Sequence, residues 1–132
     1  MKRKLKPTFD LDGYPTEETL EIIKQWDMNP STMKDLMAFI ASAWHWNDMA
    51  RETSPGLWVF ATGGWSGNES LLTALQQSKA WQILSGDSLY LPGGMLIVAI
   101  TAKAREKLEQ LCLKIVDWAW SGGTLDIRKG NT

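Results

Sequence analysis

The most informative segment of the sequence is Thr62-Gly63-Gly64-Trp65-Ser66-Gly67-Asn68-Glu69. It follows an apolar run at residues 57–61 and precedes leucines at helical spacing, Leu71, Leu72 and Leu75. Gly63 and Gly64 can adopt positive φ, so the chain can turn sharply at the end of a strand. We therefore predict a strand over residues 57–61, a tight turn at the two glycines, and a helix that ends near residue 79.

The helix after this turn has two possible starts. Ser66 and Glu69 have the S-x-x-E spacing of a capping box, in which each side chain binds the other residue's backbone amide. Asn68 is an alternative N-cap, which would place Glu69 near the positive end of the helix dipole. The two interpretations differ by two residues, and the sequence leaves both open.

A strand, a glycine turn and a helix N-terminus also form an anion-binding geometry. The segment lacks the lysine of a phosphate loop, however, and Glu69 would repel a phosphate at the same amides. We therefore favour a structural role for the turn. If it does contact a ligand, Trp65 would stack on a flat molecule, and the predicted ligand-binding residues are Gly64, Trp65, Ser66, Asn68 and Glu69.

Residues 62–69 resemble the T-G-G-W-S-G-N-E signature of a family of small uncharacterised proteins from bacteria and their phages. Residues 13–18 with 22–26 are similar to that family's opening helix, and residues 81–84 and 93–100 to its closing pair of strands. The similarity covers residues 13–100, and residues 101–121 extend beyond it. The resemblance implies an origin in a phage or another mobile element and a location in the host cytoplasm. It implies no reaction.

Composition places the chain among soluble globular proteins of one domain. It has 132 residues, of which 44% are hydrophobic and 22% charged. Residues 1–12 are expected to be an extended or mobile entry to this domain. No apolar run is long enough to span a bilayer, and the basic N-terminus lacks the apolar region of a secretory signal. Cys112 cannot form an internal disulfide, which favours a reducing cytoplasm.

The net charge of -1 is distributed unevenly. Residues 1–6 hold four basic side chains, whereas residues 7–100 hold four basic and eleven acidic ones. Residues 101–132 hold six basic and four acidic side chains. Because the body of the chain is acidic, nucleic acid is not expected as a partner. The basic N-terminal residues are interpreted as a solvated terminus.

Two helices are predicted before the first strand. Thr16 caps the first, which ends before the Asn29-Pro30 pair. The second is predicted from Thr32 to about residue 49 or 50, with a break at residues 53–56. His45, Asp48 and Glu52 would share a face of this helix and could form an acid–base site. No nucleophile or second metal ligand accompanies the single histidine, so we predict no catalytic residues, no metal site and no cofactor.

The second half of the chain is predicted to complete a small sheet. Residues 80–84 and 88–91 are interpreted as strand, interrupted at residues 85–88. Residues 95–100 are apolar throughout, which favours a central strand between helical layers. The predicted fold class is α+β, with a small, mostly antiparallel sheet of about three strands covered by helices and a long C-terminal helix.

That C-terminal helix, residues 101 to about 120, has an apolar arc wider than one packing stripe. We expect the sheet on one side of it and a second copy of the chain on the other. Two tryptophans that are two positions apart on a helix cannot share a face. One ring of the pair at 44 and 46, and one of the pair at 118 and 120, should therefore point outward. The predicted interface residues are Trp46, Leu113, Trp118 and Trp120.

These patterns favour a protein without enzymatic activity. The leading prediction is a self-associating interaction protein of a phage or mobile element, which binds a host or phage protein through exposed aromatic rings. The alternative is a small-ligand module, for a nucleotide or metabolite, that uses the loop from Gly63 to Glu69. A third hypothesis is an enzyme that uses His45 with Asp48 or Glu52. Neither nucleic acid nor a membrane is expected as a partner.

Overall fold

A computed structural model describes the backbone of residues 5–120 and the side chains of residues 5–46 and 48–115. This part of the chain is α+β, with five α-helices and a four-stranded antiparallel sheet. The helices are α1 (Glu17–Lys24), α2 (Met33–Ala43), α3 (Ser66–Gln76), α4 (Trp81–Leu84) and α5 (Ala102–Trp120). The strands are β1 (Ala50–Ser54), β2 (Leu57–Ala61), β3 (Ser88–Leu91) and β4 (Met95–Ala99). Short 3-10 turns lie at residues 30–32, 47–49 and 85–87.

Two hairpins lie side by side in the sheet, in the order β1-β2-β4-β3. Strands β2 and β4 pair in the middle, with Trp58 opposite Val98 and Phe60 opposite Leu96. The prediction of about three strands was therefore wrong, since β1 adds a fourth. Its sequence, Ala-Arg-Glu-Thr-Ser, is mostly exposed and lacks an apolar alternation. An edge strand with one pairing partner tolerates such residues, so the apolar pattern does not reveal it.

The second helix ends at Ala43, six or seven residues before the predicted boundary. Trp44 leaves the helix with an extended backbone, at φ -74° and ψ 135°. Its indole Nε1 donates to the Ala61 carbonyl at 2.9 Å, and its ring is 3% exposed and lies 5.3 Å from the Phe60 ring. Because a buried indole needs a hydrogen-bond acceptor, this tertiary contact competes with continuation of the helix.

Helical layers cover both faces of the sheet. On one face, α1 to α4 pack over a core that includes Trp58, Phe60 and Leu96. On the other face, Ala104 and Leu108 of α5 pack against β4. The last four residues of β4 are all buried, so the prediction of a central strand between helical layers is confirmed.

Residues 81–84 form helix α4, and the prediction of a strand there was wrong. Ser78 Oγ accepts a hydrogen bond from the Trp81 amide at 3.1 Å. Ala80 and Leu84 are both buried, at a spacing of one helical turn. A short apolar run does not distinguish helix from strand by its periodicity. The predicted strand at residues 88–91 is present as β3.

Helix α5 occupies almost the range predicted for it. Thr101 Oγ1 accepts from the Ala104 amide at 3.0 Å and so caps its start. Up to residue 115, one stripe faces the sheet, formed by Ala104 and Leu108 with the half-buried Leu111 and Cys112. Leu113 lies away from this stripe and is 64% exposed. None of the described helices combines the length and the apolar character needed to cross a bilayer.

The β3–β4 turn provides a test of how closely the two hairpins pack. Gly93 and Gly94 both have positive φ, but only at Gly94 would an added Cβ overlap Thr62 Oγ1. We expect G93A to cost about 1 kcal/mol from the left-handed backbone alone. We expect G94A to cost a further ~1–2 kcal/mol because Thr62 is buried and must shift. Urea unfolding of the two variants measures the difference, and equal losses would contradict the close packing.

Candidate functional site

The glycine segment turns the chain from β2 into α3, as predicted. The Thr62 amide donates to the Gly94 carbonyl at 2.9 Å, which joins the turn to the neighbouring hairpin. Thr62 Oγ1 accepts from the Gly64 amide at 3.2 Å. Gly63 and Gly64 have φ of 63° and 80°, which an L side chain rarely adopts. The turn is therefore built from backbone conformation and from contacts to Thr62.

Both predicted starts of the helix were wrong. The N-cap is Trp65, whose side chain makes no capping bond and whose carbonyl accepts from the Glu69 amide at 3.1 Å. Ser66 is the first helical residue, and its Oγ bonds to the Tyr14 hydroxyl at 3.3 Å. Because the helix begins at Ser66, neither Ser66 nor Asn68 occupies the position from which a side chain caps it.

Asn68 holds two distant segments together inside the protein. Its Oδ1 accepts from the His45 amide at 2.9 Å. Its Nδ2 donates to the carbonyls of His45 and Thr62 at 3.1 and 3.2 Å. The side chain is 0% exposed, so it has no surface to offer a ligand. We interpret Asn68 as a positioning residue that fixes the segment after α2 against the glycine turn.

Four rings lie one beside the next at the surface near this turn. In spatial order they are Tyr14, Trp65, His45 and Trp46, and we call them the aromatic row. The Tyr14 and Trp65 centroids are 4.8 Å apart, with the ring planes at 36°. The Trp65 and His45 centroids are 4.6 Å apart at 32°, and those of His45 and Trp46 are 4.4 Å apart at 62°. Tyr14 is 38% and Trp46 46% exposed, His45 is exposed and Trp65 is half-buried. The row is thus a continuous chain of ring contacts that is partly exposed to solvent.

Trp46 at one end of the row has a strained backbone. Its φ of 66° is the one positive value at a non-glycine residue in the part of the chain that the structure describes. Such a φ at a bulky residue is uncommon and costs about 1–2 kcal/mol. Its ring lies over Gly63, where an added Cβ would meet ring atom Cζ3 at 2.8 Å. Strain at an exposed aromatic residue points to a function that needs its position.

The acid–base cluster predicted on one helix face does not exist. His45 lies in the loop after α2, Asp48 in the 3-10 turn and Glu52 in β1. Glu52 Oε2 accepts from the Gly56 amide at 2.8 Å and so stabilises the β1–β2 turn. His45 instead lies between two indole rings at the surface. Among the described residues, no three His, Cys, Asp or Glu side chains come together as metal ligands would.

The other predicted site residues are separated by the fold. Gly64 and Glu69 are exposed near the aromatic row, and Trp65 is part of it. Of the predicted interface residues, Trp46 belongs to the row, whereas Leu113 lies on α5 at the opposite face of the sheet. Trp118 and Trp120 belong to α5, but their side chains lie outside the described residues.

Sequence reasoning missed Tyr14 and the surroundings of His45. Tyr14 is 51 positions before Trp65 and stands in no pattern with it. The available signals were the turn residue Gly13 beside Tyr14 and the presence of a single histidine. Neither signal places the rings together, because their contact depends on how the helices pack.

Exposed carboxylates lie on each of the segments that supply the aromatic row. The three segments that supply its rings, residues 10–18, 45–49 and 62–69, contain no lysine or arginine. They contain six acidic residues, all of them exposed: Asp10, Asp12, Glu17, Glu18, Asp48 and Glu69. These segments therefore carry a net negative charge, which attracts cations and repels phosphates.

Two depressions in the described surface are lined by residues outside the row. One lies over β1, β2 and the start of β4, and includes Arg51, Val59 and Met95. The other lies beside α5, between Arg105 and the turn at Gly86. Neither has Trp65, Ser66 or Glu69 in its wall. The aromatic row is thus a surface feature separate from both concavities.

No protein-family model matches this chain, and no curated protein or solved structure shows significant similarity to it. The resemblance of residues 62–69 to a phage-associated family stays a prediction. The function is therefore argued from the geometry of the site.

Proposed function

We propose that this protein is a non-enzymatic binding protein that holds a partner protein against the aromatic row. The observation that carries the proposal is the row itself, four adjoining rings of which three are exposed and one is half-buried. Tryptophan and tyrosine are enriched at binding hot spots because a large, rigid ring loses little conformational entropy on binding. Two features support the proposal, because each fixes the position of a ring in the row: the strained backbone of Trp46, and the hydrogen bonds from the buried Asn68 to the His45 backbone.

The geometry favours this function over the small-ligand alternative. Small-molecule sites are concave, and the two depressions described above do not include the loop from residue 63 to 69. Trp65, which would stack on a flat ligand, already has the rings of Tyr14 and His45 on either side of it. An extended protein surface can instead contact the whole row.

Two further parts of the proposal have narrower support. The resemblance of residues 62–69 supports an origin in a phage or mobile element, with a host or phage protein as the partner. Self-association through α5 is supported by the exposure of Leu113. This second surface lies across the sheet from the aromatic row, so self-association and partner binding can occur together.

The substitution W46G tests the proposed surface without disrupting the fold. Glycine relieves the strain at a φ of 66°, worth about 1–2 kcal/mol, and this offsets part of the lost ring contacts. We expect unfolding free energy within about 1 kcal/mol of wild type. We also expect loss of the proteins that the immobilised wild type captures from a bacterial lysate.

The matched control is Tyr90→Ala, which removes a ring that is 53% exposed on β3, outside the row. This variant should capture the same proteins as the wild type. If W46G is folded and still captures every protein that the Y90A control does, the aromatic row does not bind the partner.

A further inference from the structure

We propose that the partner segment bound by the aromatic row carries arginine, with its guanidinium groups stacked on the rings and paired with the surrounding carboxylates. This inference rests on the function proposed above and adds the chemistry of the partner. Two independent features of the row support it, namely the exposed ring surface and the sign of the surrounding charge.

The rings provide the first feature. The two end rings, Tyr14 and Trp46, are 38% and 46% exposed, so they offer ring surface that Trp65, lying between Tyr14 and His45, does not. A cation within about 6 Å of such a ring centroid is attracted to it. Guanidinium is planar and more weakly hydrated than ammonium, so it stacks on aromatic faces more readily than lysine does.

Carboxylates near both ends of the row provide the second feature. At the Tyr14 end, Asp10 Oδ1 accepts from the backbone amides of Asp12 and Tyr14, each at 2.9 Å, which fixes this carboxylate against the Tyr14 backbone. At the Trp46 end, the exposed Asp48 is two residues further along the chain. A guanidinium group donates up to five hydrogen bonds, so it can stack on a ring and bind a neighbouring carboxylate at the same time.

Other partner chemistries use less of this surface. A purely apolar segment would contact the rings and leave the carboxylates unused. A phosphorylated or acidic segment would be repelled by them. The three segments that supply the rings contain no lysine or arginine, and the nearest cation to Asp48 in the neighbouring depression is Arg51, on β1.

The test compares two peptides of equal length, acetyl-(Gly-Arg)3-amide and the same peptide with citrulline in place of arginine. Citrulline keeps the shape and most of the hydrogen-bonding groups but has no charge. In a tryptophan fluorescence titration at low salt, we expect the arginine peptide to bind at least ~10-fold more tightly. Raising the salt concentration should weaken this binding. Equal affinities, or binding of neither peptide, would overturn the arginine proposal.

Charge variants locate the binding on the protein. The double substitution Asp48→Asn with Glu69→Gln should lower the affinity for the arginine peptide by about 3–10-fold. Its control, Glu106→Gln with Glu109→Gln on α5, removes the same charge at the other face of the sheet and should leave the affinity unchanged. Equal weakening by both pairs would mean that only net charge matters, which contradicts the proposed site.

Different results would contradict the proposed partner binding and the proposed arginine chemistry. If W46G loses its captured proteins but the peptides bind alike, the row binds a partner and the arginine chemistry is wrong. If W46G captures the same proteins as the wild type, the proposed function itself is wrong.

Discussion

Replacing Asn68 with aspartate is expected to destabilise the fold by about 4 kcal/mol, because a buried hydrogen-bonded amide becomes a buried charge. The carboxylate could still accept from the His45 amide. It would, however, face the carbonyl oxygens of His45 and Thr62, to which the wild-type Nδ2 donates. Two attractive contacts would thus become repulsive in a site that is 0% exposed.

This variant has a distinctive pH dependence. Burial raises the pKa of a carboxyl group, so the folded variant would bind a proton at a pH where the unfolded chain is still ionised. The protonated group can again donate one hydrogen bond. As the pH falls through the folded-state pKa, the stability deficit of N68D relative to wild type should therefore shrink.

Urea unfolding of N68D beside Asn29→Asp measures the effect. Asn29 is exposed and its Oδ1 accepts from the amide and hydroxyl of Ser31 at 3.0 and 2.9 Å. Aspartate caps a helix about as well as asparagine, so this control should change stability by less than ~0.5 kcal/mol. A loss below ~1 kcal/mol for N68D would show that Asn68 does not bridge the two segments.

Gly67→Ala is expected to reduce partner binding at least ~10-fold while the fold remains stable. An added Cβ at Gly67 would overlap the six-membered part of the Trp65 ring, at Cζ3, Cη2 and Cε3. Alanine is the better helix former by about 1 kcal/mol, so α3 itself should tolerate the change. The indole must therefore move, and its contacts with Tyr14 and His45 in the aromatic row should be lost.

The control for this variant is Gly86→Ala, where an added Cβ would meet nothing within 4 Å. We expect G67A, but not G86A, to change the near-ultraviolet circular dichroism of the tryptophans. Binding is measured with the immobilised protein and with the arginine peptide. A G67A protein with an unchanged tryptophan signal would contradict the close contact. If the tryptophan signal changes but G67A binds as tightly as the wild type, the position of Trp65 is not needed for binding.

Local interactions explain the elements that sequence reasoning placed correctly. Thr16 caps α1 by accepting from the Thr19 amide at 3.3 Å, a contact that spans three residues. The two glycines after β2 allow a turn that other residues would resist. The apolar run of β4 requires cover on both faces whatever the topology. In each case the physical cause lies within a few residues of the element.

The errors occur where distant contacts outweigh local preference. Helix α2 could continue past Ala43 by its pattern, but Trp44 instead reaches the Ala61 carbonyl. Strand β1 has little apolar character and exists because β2 pairs with it.

From the amino-acid sequence it followed that the chain is α+β, that residues 62–69 turn a strand into a helix, and that some aromatic rings would remain at the surface. The packed fold decided which rings meet, since Tyr14, His45 and Trp65 come from segments about 20 to 50 positions apart. It also decided that Asn68 is a buried bridge and not a helix cap, because the amide and carbonyl that it binds at His45 arrive from another segment. The physical reason is that hydrophobic burial brings these segments together, and the buried Asn68 amide then finds its partners among the groups beside it.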